Sequence, residues 1–299
     1  MGDCFRLLGW TAPLILVPEA VVLLVDTWGW RTVMPAAMRE RIPLLSLYLV
    51  RMAGEAVNGF TPTATVGGEP VKAHLLRAFG ISGSEAMATV VVARTALVAS
   101  QAAFVTAGTI ALLAHLGHQR LAAVLLVVQG LAAAAFVLAM IRVQQRGLAT
   151  AVWRLGKRVA PRSSLVARLE SGAAVLDQRL DDFHRLEQPA FRLAMAWHFV
   201  GWLLGTFEIQ VIMWLIGAPT SFLQAFLIES LAQPIRAAAL VIPGALGAQE
   251  WGGLWLCTML GMTEPHAVTL WLLKRARETV FDAVGVAYLG KRSYFDRAR

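Results

Sequence analysis

Cysteine is scarce in this chain. Cys4 and Cys257 are the only two in 299 residues, so neither a disulfide framework nor a thiolate metal site is expected. Charge is scarce too: 15% of residues are Asp, Glu, Lys or Arg, against about 25% in soluble domains. His115 and His118 stand three apart beside Gly117 with no carboxylate near them, and His74, His184, His198 and His266 are isolated. No metal centre is expected from that pattern. No nucleophile elbow, nucleotide-binding glycine loop or paired Asp motif occurs, which argues against an enzyme and against a cofactor. No cleavable signal peptide is expected, because the first apolar stretch is long and no small-residue cleavage site follows it.

Apolar sequence fills the space left by these absences. Hydrophobic residues make up 57% of the chain, and several stretches reach the ~20 residues needed to cross ~30 Å of hydrocarbon. Leu121–Val143 carries no ionised residue before Arg142, and Leu193–Gly217 carries one charge. The pattern predicts an all-α polytopic membrane protein, with residues 1–299 forming a single integral membrane domain. Seven transmembrane helices are expected: Leu7–Trp30, Pro43–Phe60, Glu85–His115, Leu121–Ile141, Leu193–Gly217, Phe222–Ile242 and Pro265–Leu289. The net charge of +8 sits mostly in the connections, as the positive-inside rule expects of a bacterial inner (cytoplasmic) membrane protein, and nucleic acid is not an expected partner. The tryptophans mostly flank helices, Trp28, Trp30, Trp197 and Trp202 among them, where interfacial or packing roles account for them. Residues 142–192 are polar, with Arg154, Lys157, Arg158, Arg162, Arg168 and Arg179. Leu165, Leu169 and Leu176 recur there at helical spacing, so this segment reads as one or two amphipathic helices on the cytoplasmic surface, or as a plain loop.

Two segments, Thr61–Gly80 and Pro243–Gly261, read as neither loops nor spans. Each is rich in glycine and small residues and opens at a proline, Pro62 or Pro243, so each is expected to be broken or re-entrant. They match at a constant offset of 181 residues: Pro62 with Pro243, Glu69 with Glu250, Gly80 with Gly261, Ala86 with Ala267 and Arg94 with Arg275. Two repeats are expected, about 43–115 and about 222–289. The basic clusters fit best if the broken segments cross as paired half-helices and the repeats are inverted, an arrangement found in transporters. Segments that re-enter and leave on one side would make the repeats parallel instead.

Ionisable residues inside apolar helices are the strongest functional signal, because each costs about 2.5–3.5 kcal/mol on insertion scales. Arg51, Glu55 and Asn58 share one helical face, and Glu229, Gln233 and Arg236 repeat that spacing. Glu208 and Arg94 lie inside other helices, and Arg275, Arg277, Glu278 and Asp282 follow in the last. The plain alternative is ion pairing within the bundle, Arg51 with Glu55 and Glu229 with Arg236. The functional reading puts an anionic head group at the half-helix starts, where Gly67, Gly68 and Gly247 allow close backbone approach. Arg94 and Arg275 would clamp it, and Glu69 and Glu250 would orient the arginines or cap the half-helices.

The stretch Arg51–Glu69, RMAGEAVNGFTPTATVGGE, resembles the core motif of the flippase-like family that shares the transmembrane region of lysylphosphatidylglycerol synthases. Glu229–Arg236, Pro243–Glu250 and Lys274–Glu278 resemble its second half. His198–Glu208, HFVGWLLGTFE, is similar to the subgroup associated with hopanoid biosynthesis. The resemblance covers nearly the whole chain and implies movement of lipid between leaflets. Members usually begin with one further helix, and Met1 falls just before what resembles the family's second. These 299 residues hold no synthase domain, so the aminoacylated phosphatidylglycerol of the synthases is not the expected substrate. The expectation is a lipid translocase or lipid-binding membrane protein with a membrane lipid as substrate. The alternatives are a scaffold for lipid-biosynthesis enzymes, working through Arg154–Arg179, and an intramembrane lipid-modifying enzyme.

Overall fold

A computed structural model describes residues 9–61, 67–117, 119–159, 164–239, 242 and 247–297. The matched prolines, Pro62 and Pro243, lie outside the described residues, as do Thr65 and Val66 and the run from Gly244 to Leu246. Among the described residues the secondary structure is helical, with no strand. A 3-10 turn at Gly9–Ile15, which contains Pro13, leads into α1 (Leu16–Thr32). There follow α2 (Ala36–Arg41), α3 (Leu44–Phe60), α4 (Gly68–Leu76) and α5 (Gly83–Leu116). Next come α6 (Gln119–Gln145), α7 (Leu148–Val159), α8 (Ser164–Leu186) and α9 (Gln188–Leu215). The chain ends with α10 (Phe222–Ala238), α11 (Ala248–Met259) and α12 (Glu264–Arg297).

The helix boundaries follow from local chemistry. Pro43 precedes α3, where its missing amide N–H is harmless. Ser82 and Ser221 cap α5 and α10, accepting hydrogen bonds from the amides of Glu85 and Gln224 at 3.3 and 3.1 Å. Gly117, at φ +70°, ends α5 and turns the chain into the antiparallel α6.

Four helical stretches are long and apolar enough to span a bilayer: Gly9–Thr32, Gly83–Leu116, Val128–Gln145 and Gln188–Leu215. Large apolar side chains cover their outer surfaces, including Leu131 on α6 and Trp214 on α9, 66% and 67% exposed. Such a surface suits lipid, not water. The chain is therefore a multi-pass membrane protein. The other three expected spans do not meet that standard. Helices α3 and α10 have 17 residues each. Helix α12 is longer, but its central stretch holds Lys274, Arg275, Arg277, Glu278 and Asp282.

Two apolar cores lie side by side. One joins α1, α3, α4, α5, α8 and α9 around Trp30, Leu47 and Leu76. The other joins α9, α10, α11 and α12 around Ile209, Ile228 and Leu270. Helices α1 and α9 bind the halves together. They run antiparallel, with Gly29 against His198 and Gly201 against Asp26. Packing across the halves is reciprocal: α3 lies along α12, and α10 lies along α5. The described residues between 142 and 192 form the end of α6, then α7, α8 and the start of α9. Helix α8 buries Leu180 and Phe183 in the first core, and Asp177 accepts from the Ala149 and Thr150 amides at the start of α7, at 2.8 and 2.9 Å.

Candidate functional site

The polar residues gather in two buried clusters, one in each half. In the first, Asp26 on α1 accepts from Arg51 on α3 at 2.8 Å and from His198 Nδ1 on α9 at 2.6 Å. The His198 side chain is wholly buried and its Nε2 has no partner. On α4, Lys72 bridges two carboxylates, Glu55 at 2.7 Å and Glu69 at 3.2 Å. It is buried, so the two acids hold its charge at a depth where a lone ammonium is costly. Asn58 Oδ1 accepts from the Gly68 amide at 2.7 Å and so satisfies the first turn of α4. Gly68 itself lies so close to the Gly54 carbonyl that a Cβ there would sit 2.0 Å from the oxygen. The small residue therefore lets the broken segment fold back onto α3. Arg51, Glu55, Glu69, Lys72 and Arg94 line one cavity, with room for about one water.

The second cluster draws on α1, α9, α10, α11 and α12. Lys274 on α12 again bridges two carboxylates, Glu208 at 3.0 Å and Glu229 at 2.9 Å. One turn on, Arg277 meets Glu208 at 2.8 Å and also pairs with Glu19 on α1. The Arg277 Nε contact is an ion pair with poor hydrogen-bond alignment. Gln233 donates to Glu229 at 3.0 Å. Arg236 pairs with Glu278 at 2.9 Å. Arg275 pairs with Glu250 at 2.6 Å and with Glu278 at 2.9 Å. Glu250 also accepts from the Gly247 amide at 2.8 Å, so one carboxylate both caps α11 and orients Arg275. Gly247 takes φ +80°, where a side chain would be strained; Gly67, which precedes α4, has φ −63°. A second cavity of similar size touches Glu229, Gln233, Arg236 and Lys274.

Several expectations change in detail. Arg51 pairs with Asp26, not with Glu55, and Glu229 pairs with Lys274, not with Arg236. Both pairs run between helices because a buried charge is best matched by a group held rigidly across the interface. Arg94 and Arg275 line separate clusters. Glu250 contacts Arg275, and Glu69 pairs with Lys72.

The sequence model of the lysylphosphatidylglycerol synthase TM region matches residues 5–285. The chain belongs to that family. No curated protein and no solved structure matches it. The matched region takes in both clusters and the α7–α8 arm, so the polar interior falls within the shared family region. Sequence reasoning missed Glu19, Asp26, Lys72 and Lys274 as members of the site, and it named Arg277 only among the charges of the last helix. For the first two a signal existed: they stand seven apart in an apolar helix, on one face. Lys72 and Lys274 lay in or beside the segments singled out, but nothing in one dimension showed that each bridges two acids.

Proposed function

We propose that this protein moves a lipid with an anionic or polar head group between leaflets. The supporting observation is the polar interior of a membrane protein, built from ion pairs that a head group can exchange into. A phosphate can replace a carboxylate on Arg94 or Arg275 without leaving the guanidinium unpaired. Both arginines are half-buried, unlike Lys72, Lys274 and Arg277. The cavities hold about one water each, so the described state is closed, and a head group enters as the halves separate.

We further propose that the halves are inverted repeats. In each half a membrane-long stretch, Gly9–Thr32 or α9, is followed by a 17-residue helix, a short helix and a 34-residue helix. The antiparallel course of the equivalent helices α1 and α9 supports inversion, as does the reciprocal packing of α3 on α12 and α10 on α5. In that arrangement a site between the halves can open to each side in turn. We place the arm around Arg158 on the cytoplasmic side of a bacterial inner membrane, from the basic residues there. The likeness of His198–Glu208 to the hopanoid-associated subgroup puts the lipids of that biosynthesis first among substrates to try. No bond is broken in this mechanism.

The test is leaflet-resolved transfer of fluorescent phosphatidylglycerol in reconstituted vesicles. The expected result is acceleration over protein-free vesicles that Arg275→Gln removes while the protein stays monodisperse. Loss of function on substituting Arg154 and Arg179, with Arg275→Gln unaffected, would overturn the reading in favour of a scaffold.

A further inference from the structure

The two clusters differ in charge. In the first, Asp26, Glu55 and Glu69 face Arg51, Lys72 and Arg94, so acids and bases balance. In the second, the ion pairs form an alternating chain, Glu19–Arg277–Glu208–Lys274–Glu229. It has three carboxylates and two cations. Following the contacts outward does not restore balance. Glu278 joins through Arg277 and brings Arg236 and Arg275, and Arg275 brings Glu250. That adds two acids and two bases, so one carboxylate remains in surplus.

A net charge held at membrane depth is strongly disfavoured, and the cheapest remedy for a surplus carboxylate is a proton. The contacts indicate which acid takes it. Glu208 touches both Lys274 and Arg277. Glu229 has Lys274 and the Gln233 amide. Glu278 has three arginine neighbours, and Glu250 has Arg275 and the Gly247 amide. Glu19 has one partner, Arg277, and its side chain is 18% exposed, against 2% and 10% for Glu208 and Glu229. Glu250 and Glu278 are slightly more exposed, at 26% and 22%, but each is held by at least two donors, so Glu19 is the acid of the cluster with the fewest polar partners. Every charged group facing it belongs to its own cluster or to the neighbouring α3. Lys274, Arg277 and Glu278 come from α12, Glu208 from α9, and Tyr48 and Arg51 from α3.

We infer that Glu19 is a proton-binding site and that its proton is coupled to head-group movement. The coupling follows from the same charge count and rests on the translocase reading. An anionic head group that takes Arg275 or Arg277 from a carboxylate adds one more negative charge to the cluster. The proton already on Glu19 keeps the cluster neutral enough to admit it, and release of that proton from the Glu19 carboxyl group to the aqueous phase makes the cluster more negative and expels the head group.

Infrared difference spectroscopy of the purified full chain tests the site without any lipid assay. The wild-type protein is expected to show the carbonyl band of a protonated carboxylic acid at neutral pH, lost at alkaline pH and absent from Glu19→Gln. Glu229→Gln, which balances the cluster by removing a different acid, is expected to lose the band as well; it decides the matter if Glu19→Gln does not fold. Absence of the band from wild-type protein, or its persistence in either variant, overturns the proton site. In vesicles, phosphatidylglycerol transfer is expected to respond to an imposed pH gradient in wild-type protein and not in Glu19→Gln. Transfer that ignores the pH gradient but follows a sodium gradient overturns the coupling. A titrating band with no transfer at all refutes the translocase reading and leaves the proton site standing.

Discussion

The two halves solve the same problem with different residues. Each buries a lysine between two glutamates, but Lys72 sits on the short helix α4 and Lys274 on the long helix α12. The offset of 181 residues places Gly253 where the first half has Lys72, and Arg236 where it has Glu55. The close helix contact also changes sides. In the first half a small residue on α3, Gly54, makes room for Lys72 on α4; in the second, Gly252 on α11 makes room for Ile235 on α10. The layout of helices is shared while the chemistry drawn on it has diverged, leaving the first cluster balanced and the second with a surplus acid. Shape in such a bundle is set by where small residues permit close approach. Charge can be moved between neighbouring helices as long as each buried ion keeps a partner.

The largest expected effect tests that asymmetry directly. Lys274→Met leaves Glu208 and Glu229 facing each other in the half that already lacks a cation, and a loss of about 3–5 kcal/mol is expected. Lys72→Met strands Glu55 and Glu69, yet Arg51 and Arg94 line the same cavity, so its loss is expected to be smaller. Thermal unfolding of both variants in detergent, with monodispersity as control, gives the order; a Lys72→Met loss equal to or larger than that of Lys274→Met would break the comparison.

Next is the arginine pair. Arg275→Gln removes a charge-assisted contact of about 1.5–3 kcal/mol, or roughly ten- to a hundredfold in transfer rate. Arg94→Gln is expected to slow transfer less, because its cluster has no surplus acid. Lysine at either position is expected to rescue only part, since a point charge cannot make a bidentate contact. Transfer per monodisperse molecule is the readout, and equal rates for wild type and both Gln variants would remove these arginines from the mechanism.

Gly68→Ala sharpens the comparison of shape. Its Cβ would meet the Gly54 carbonyl, a backbone atom that cannot turn aside, and a loss of about 1–3 kcal/mol is expected. The equivalent place in the second half already carries a side chain, Gln249, so Gln249→Ala is expected to perturb the protein less in the same unfolding experiment.

The smallest effect concerns the α8 arm, which packs on the first half. His184 donates through Nε2 to Gln144 Oε1 at 2.8 Å, and Gln144 donates on to Thr95 at 2.7 Å. Burial holds the His184 pKa below its ordinary 6.5, with Asp181 opposing. A histidine depressed in the folded state binds its proton more readily when unfolded, so stability falls as pH drops through and below that ordinary value. A modest fall in unfolding temperature between about pH 7.5 and 5.5 is expected, flattened in His184→Gln. A His184→Gln profile that matches wild type would show that the histidine stays neutral for other reasons.

The membrane class was legible because its cause is local: a run of apolar residues such as Leu193–Gly217 has no other stable home. The candidates Arg51, Glu55, Glu208 and Glu229 stood out in the sequence as well, since a charge in an apolar helix is conspicuous whatever surrounds it. Four of the seven expected spans are long and apolar enough to cross a bilayer, while α3, α10 and α12 are shorter or carry more charge. What the sequence by itself determined, then, is that this chain is helical, sits in a membrane and carries charge there. Which charges meet was decided only by the tertiary structure. Asp26 finds His198 because α1 and α9 cross antiparallel, and Glu19 finds Arg277 because α12 also reaches α1; the partners stand 172 and 258 positions apart in the chain. Helical periodicity fixes the face a residue occupies, but the partner on the opposing face depends on packing between segments distant in the chain.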